Sequence, residues 1–278
     1  MSRTVAEKRA AFRKLHERGC FVLPNPWDVG SARMLQRLGF VALASTSTGY
    51  AWSTGRPDYG VSRADVLAHL TSLSAAVELP VNADFESGFA SAPEGVAESV
   101  TLAVKTGVSG LSIEDRDVDA RDTLYETAYA VERIQAARRA IDRTGEDVIL
   151  VARTELLFID AQAVKQAIDK LVAFADAGAD CLYAPGVRDA KHIEAMVRAV
   201  APKPLNVLAM GAALSVEALA DLGVRRISIG GALARVAWTA MISAATQLKG
   251  GSFDGLAGAM PGRELDAAFA DFGATPPA

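Results

Sequence analysis

Cysteine and histidine are scarce in this chain. Two cysteines, Cys20 and Cys181, and three histidines, His16, His69 and His192, are spread over 278 residues, too few and too scattered for a disulfide framework or a Cys/His metal cluster. Both cysteines open apolar, strand-like runs and read as buried thiols. Each histidine lies inside a helical pattern, away from any strand end, and reads as a surface or packing residue. No apolar run reaches the roughly 18 to 20 residues of a membrane span, and the charged helical pattern of Met1 to Arg18 does not resemble a signal peptide, so a cytoplasmic protein is expected. Neither a G-x-G-x-x-G nor a P-loop pattern occurs, which removes the usual glycine-rich cradle for nucleotide phosphates. A large excess of one charge is also missing. The net charge of −4, with Lys and Arg dispersed, excludes an electrostatic draw to nucleic acid or an anionic membrane and points to a small-molecule partner. No Pro/Gly/Ser-rich or charge-rich linker divides the chain, so residues 1–278 are expected to form one domain.

What is present is a beat of apolar runs and amphipathic segments. Short apolar runs at 19–23, 40–44, 79–84, 108–113, 147–152, 181–184, 205–208 and 226–229 read as strands, each followed by a helical pattern. Asp28 is placed to cap the helix carrying Met34, Leu35 and Leu38; Ser62-Arg63-Ala64-Asp65 reads as a capping box; Pro93-Glu94 starts another helix. A long loop is expected over 50–60, and a helix from about Ala161. Eight strand–helix units, about 20 to 40 residues apart, close a parallel sheet into an α/β (β/α)8 TIM-type barrel with an extra N-terminal helix outside it. A doubly wound open sheet is the alternative. Polar residues at the carboxyl ends of several strands, with no single glycine-rich switch point, favour the barrel.

The centre of the pattern is Pro80-Val81-Asn82-Ala83-Asp84-Phe85-Glu86-Ser87-Gly88-Phe89, a buried strand opening into a loop. If the backbone stays extended through Phe85, Asp84 and Glu86 share a side. Asp58 and Glu114 come from neighbouring strand ends. Four carboxylates at one barrel mouth call for a divalent cation, and hard oxygen donors suit Mg²⁺ or Mn²⁺, bound directly by one or two of them and through water by the rest. Arg153, at the next strand end, is suited to grip a substrate carboxylate; an ion pair with Glu114 or Glu155 is the plainer alternative. The hydroxyl cluster Ser45-Thr46-Ser47-Thr48 reads either as backbone amides for an anion or as an ordinary turn.

In their order along the chain, Asn25-Pro26-Trp27-Asp28, Pro57-Asp58, Asp84-x-Glu86-Ser87-Gly88-Phe89, Ile113-Glu114-Asp115 and Ala152-Arg153 resemble the isocitrate lyase and phosphoenolpyruvate mutase superfamily. The resemblance implies a (β/α)8 barrel, a homotetramer with its last barrel helix, Ala232 to Leu248, swapped between subunits, and a Mg²⁺ site at Asp84, Glu86, Glu114 and Asp58. It implies catalytic roles for Arg153, Glu114 and Asp58, and substrate contacts at Thr46, Ser47, Arg153 and Asn206. Phe89 and Ala90 stand where that motif has Tyr and Gly.

The strand-four loop departs from the pattern. Isocitrate and methylisocitrate lyases carry K-(K/R)-C-G-H there, whereas residues 115–125 contain no cysteine, histidine or lysine, nor the Lys and Asn-Ser elements of phosphonomutases. The chemistry expected is C–C bond cleavage in a small 2-oxo or 2-hydroxy carboxylate through a metal-stabilised enolate, with Asp117, Asp119 or Tyr125 as candidate bases. Loss of CO₂ from an oxaloacetate-type acid, a phosphonomutase-like or phosphonopyruvate-type reaction, and non-catalytic binding of a 2-oxo acid are the alternatives.

Overall fold

The computed structural model describes residues 3–210 and 214–272. Eight strands, β1 Phe21–Leu23, β2 Leu43–Ala44, β3 Val81–Asp84, β4 Gly110–Glu114, β5 Ile149–Arg153, β6 Cys181–Tyr183, β7 Leu205–Leu208 and β8 Arg226–Ser228, pair in the order β1-β8-β7-β6-β5-β4-β3-β2. Every pairing is parallel. The Ala44 N–H donates to the Pro24 carbonyl at 3.0 Å, a bond that bridges the two end strands. The architecture is a (β/α)8 barrel, as the eight-unit beat predicts.

The surrounding helices are α1 Val5–Glu17, α2 Val29–Arg37, α3 Ser47–Ser53, α4 Arg63–Ala76, α5 Pro93–Lys105, α6 Thr127–Thr144, α7 Leu156–Ile159, α8 Val164–Asp176, α9 Ala190–Val200, α10 Val216–Asp221, α11 Ala232–Lys249 and α12 Gly262–Phe269. Their starts follow local chemistry. Asp28 and Ser31 form a reciprocal capping box on α2, and Pro93 occupies the first turn of α5, where its missing N–H costs nothing. Ser62 accepts from the Asp65 N–H, but the Asp65 carboxylate takes the Ser62 hydroxyl instead of the Ser62 N–H, so only half of the expected box forms. None of the described helices is long and apolar enough to cross a membrane.

Inside the barrel, Phe12 of α1 packs fully buried with Phe21, Leu23, Ala44, Ile149, Val151, Cys181 and Tyr183. The N-terminal helix therefore seals the amino-terminal end of the barrel as well as lying outside its wall. Gly110 is required there, because a Cβ would stand 2.8 Å from the Phe12 ring and 2.7 Å from Asn82 Oδ1. Above Phe12 lies a polar layer: Arg226 donates through Nε to Asn206 Oδ1 at 2.9 Å and through Nη1 to Asn82 Oδ1 at 3.3 Å.

Three local expectations change. β2 is two residues long, because the chain from Phe40 to Ala42 does not pair. Where an open loop was expected from Tyr50, α3 begins at Ser47, capped by the Thr46 hydroxyl. The segment after β5 forms the one-turn α7 before α8 starts at Val164.

Candidate active site

All the acidic strand ends open on one face of the barrel, and Asp84 is their hub. One of its oxygens, Oδ2, accepts from both the Ser47 N–H and the Ser47 hydroxyl at 2.9 Å, while Oδ1 faces Arg153 Nη1 at 3.3 Å. The Asp84 N–H donates to Ser45 Oγ at 2.9 Å. The hydroxyl cluster after β2 thus orients the carboxylate: Ser47 holds Asp84, and the Thr46 side chain accepts from the Gly49 N–H at 3.2 Å. Both residues still line the cavity described below.

Arg153 lies among three carboxylates, with Nε 2.5 Å from Glu155 Oε1 and 3.4 Å from Glu114 Oε2 besides its Asp84 contact. Burial works against its charge, but Glu155 and Glu114 overcome that and hold its pKa well above the ordinary value. The ion-pair alternative for Arg153 is therefore realised, in a form that also fixes the guanidinium plane at the cavity wall. Glu155 is set by a shell of its own: Asp115 accepts from the Glu155 N–H at 2.9 Å and from the Thr154 hydroxyl at 2.7 Å, and pairs with Lys170 at 2.6 Å.

Glu114 is buried. Its Oε1 accepts a 2.8 Å hydrogen bond from the Tyr59 hydroxyl, and burial pushes its carboxyl up to about 8 against the pull of Arg153. Tyr59 adopts a left-handed backbone at φ 60°, uncommon for an aromatic residue and a local strain at the cavity edge. Burial and then Glu114 raise its phenol pKa. The neighbouring Asp58 accepts from the Tyr59 N–H at 3.1 Å; solvent reaches it, yet crowding by protein and the Asp84 charge raise its pKa against a hydrogen bond with Thr48.

Glu86 departs from the extended geometry expected of it. β3 ends at Asp84, and Glu86 turns left-handed at φ 47°. Its buried carboxylate faces a side cavity of about 140 Å³ shared with Tyr59, Arg116 and Arg121, with Arg121 Nη1 at 3.9 Å. Burial and then Asp84 push it up to about 8. The 115–125 loop closes this cavity as a narrow hairpin, bridged at Arg116 and Leu124, and Arg121 stacks over the Tyr59 ring at 4.5 Å. Of the loop's candidate bases, Tyr125 is turned into the core under α6, where its hydroxyl meets the Val118 N–H and Ser91.

The main cavity, about 380 Å³, is lined by Thr46, Ser47, Asp58, Tyr59, Asp84, Arg116, Arg153, Glu155, Tyr183 and Arg235, among others. Asn206 is not brought to it: buried one layer down, it holds Arg226 and donates to Ser228 Oγ at 3.0 Å. Tyr59, Glu155, Arg116 and Arg235 are cavity groups the sequence reading did not assign to the site.

The donor set fits a divalent ion. Five carboxylates, Asp58, Asp84, Glu86, Glu114 and Glu155, stand around the two cavities with four guanidinium groups, Arg116, Arg121, Arg153 and Arg235. A divalent cation held by the carboxylates would offset the remaining negative charge and ease the pressure on Glu86 and Glu114 to protonate. Among the described residues no three acidic, histidine or cysteine side chains are grouped closely enough to hold an ion by themselves.

A crystal structure from Burkholderia cenocepacia J2315, provisionally described as a lyase/mutase, superposes with a TM-score of 0.92 at 46% identity, covering 96% of this chain and 97% of that one. A 2,3-dimethylmalate lyase structure superposes at 0.84 with 28% identity over 96% of this chain and 95% of that one. An uncharacterised Mycobacterium tuberculosis protein is 30% identical over 94% of this chain and 97% of its own length. Residues 12–249 match the family model for phosphoenolpyruvate phosphomutase, so this chain belongs to that family, within the isocitrate lyase/PEP mutase superfamily.

Proposed function

We propose that the protein is a divalent-metal-dependent C–C bond lyase acting on a small 2-oxo or 2-hydroxy carboxylate through an enolate. The observation that carries this reading is the Asp84–Arg153 pair at the cavity wall: a carboxylate aimed by Ser47 beside a guanidinium fixed by Glu114 and Glu155. Asp84 is the residue that would hold Mg²⁺ or Mn²⁺ directly, with Asp58, Glu86 and Glu114 around it. Once bound, the ion supplies the positive charge that stabilises an oxyanion developing on the substrate. Arg153 receives the substrate carboxylate, Asp84 and its serine shell orient the complex, and Tyr59 is the hydroxyl placed at the edge of the cavity. No cysteine or histidine lines the described cavity.

The 115–125 loop refines the choice of bond. Without a cysteine to move a proton at the leaving fragment, it favours substrates whose bond breaks without one, such as a β-keto acid losing CO₂. The kinship to a 2,3-dimethylmalate lyase supports cleavage in general. We also propose a homotetramer, because the outward face of α11 leaves Val236, Trp238, Met241 and Ile242 exposed and an apolar surface of that extent needs a covering partner.

The test is turnover across a panel of oxaloacetate, malate, 2,3-dimethylmalate, methylisocitrate, isocitrate and phosphonopyruvate, with Mg²⁺ and with EDTA. Metal-dependent C–C cleavage, best with oxaloacetate or a related β-keto or β-hydroxy acid and poor with isocitrate, is expected. Tight binding of these acids with no turnover would instead identify a 2-oxo acid sensor, and turnover of phosphonopyruvate alone a phosphonate enzyme.

A further inference from the structure

Arg226 carries a fixed charge in the middle of the barrel, 2% exposed, and pairs with no carboxylate among the described residues. Its guanidinium donates instead to two neutral amides, Asn206 Oδ1 and Asn82 Oδ1. Neighbours that could answer the charge stay neutral. Burial lowers the pKa of His16 to about 3 and pushes the Cys181 thiol up to about 11, and His16 Nε2 is itself buried without a partner. A buried cation met only by neutral groups is costly, and a guanidinium does not escape the cost by losing its proton.

The carboxylate that the charge reaches is Asp84. Asn82 and Asp84 are two residues apart on β3 and share its inner face, so the Asn82 contact sets Arg226 one layer, about 7 Å along the strand, below Asp84. We propose that Arg226 is a positioning residue that acts through its charge: from the layer beneath Asp84 it draws an anionic ligand into the mouth and restrains the grip of the carboxylates on the divalent ion. A fixed cation attracts the substrate carboxylate and the oxyanion developing on it and repels Mg²⁺, so the two ligands feel Arg226 with opposite signs. A purely structural role would move both affinities the same way. The proposal rests on the reading of the mouth as a metal-assisted 2-oxo or 2-hydroxy acid site.

Calorimetric titrations of the full-length protein separate the two roles. Arg226→Gln removes the charge and keeps a donor for Asn206; it should bind Mg²⁺ about three- to tenfold more tightly than the wild type and, once saturated with Mg²⁺, bind pyruvate about three- to tenfold more weakly. Arg226→Met, a second neutral side chain of similar reach, should repeat both shifts, and Arg226→Lys, which keeps the charge, should stay within about twofold of the wild type for both ligands. Weaker binding of both ligands in a neutral variant, no change in either, or failure of both neutral variants to fold while Arg226→Lys folds would overturn the assignment. Pyruvate that does not bind the Mg²⁺-loaded wild type would count against the 2-oxo acid reading alone, and the Mg²⁺ titrations would then decide the role of Arg226: tighter binding in the neutral variants supports it, and equal or weaker binding overturns it. A wild type that binds no Mg²⁺ would overturn both.

Discussion

The Tyr59 hydroxyl donates to Glu114 Oε1 at 2.8 Å across the mouth of the barrel, joining the loop after α3 to the end of β4. The contact satisfies a buried carboxylate, and Tyr59 makes it from a left-handed backbone, a local strain at the cavity edge.

Tyr59→Phe keeps the ring that Arg116 and Arg121 cover and deletes only the donor. The expected result is a fall in Mg²⁺ affinity of about tenfold or more, as for other groups that orient a metal-bound carboxylate, together with a lower kcat and a modestly lower melting temperature in EDTA, because the buried Glu114 carboxylate loses a donor. Calorimetric titration of Mg²⁺ into both proteins checks this; identical affinities would show that Glu114 does not report to the ion.

His16 gives a pH prediction away from the site. It is buried against Phe12 and Phe21, and burial, then the positive Arg226, lowers its pKa to about 3. Below its unfolded value of about 6.5 the unfolded chain takes a proton that the folded chain refuses. The stability from a neutral His16 is therefore complete above that value and is lost as pH falls toward the folded one. Denaturant titrations should show about 2 kcal/mol lost through this group between pH 7 and pH 5. His16→Met should remove that part of the slope; the same slope in both proteins would refute the assignment.

The barrel was legible because each strand is a short apolar run and several helices carry their own start signal, such as Asp28 on α2 and Pro93 on α5. What was not legible depended on contacts distant in sequence. Ser45 to Tyr50 contains no helical period, so α3 could not be read from it. The left-handed turn at Glu86 breaks the alternation that placed it beside Asp84. Asn206 reads as a polar strand residue whether it faces a ligand or, as here, the buried Arg226. Tyr59 follows Asp58 in a Gly/Pro-bounded loop that gives no sign of its partner 55 residues away, and Arg235 is hidden in a helix whose apolar residues dominate its pattern.

Those apolar residues carry the next expectation. With Val236 and Ile242 more than half exposed, the protein should elute as a tetramer by light scattering, and Ile242→Glu should dissociate it. A monomeric wild type would contradict the proposed assembly without touching the site.

The central claim is that this cavity stabilises the enolate of a 2-oxo carboxylate. Pyruvate tests it without knowledge of the natural substrate, because a site that stabilises a pyruvate enolate lowers the barrier for bound pyruvate to lose a C3 proton to water and regain a deuteron from solvent. In D₂O with Mg²⁺, proton NMR should show the methyl signal of pyruvate decaying with the wild-type protein and persisting with Asp84→Ala or with EDTA. Pyruvate that binds the wild-type protein and yet exchanges no faster than in buffer would contradict the account.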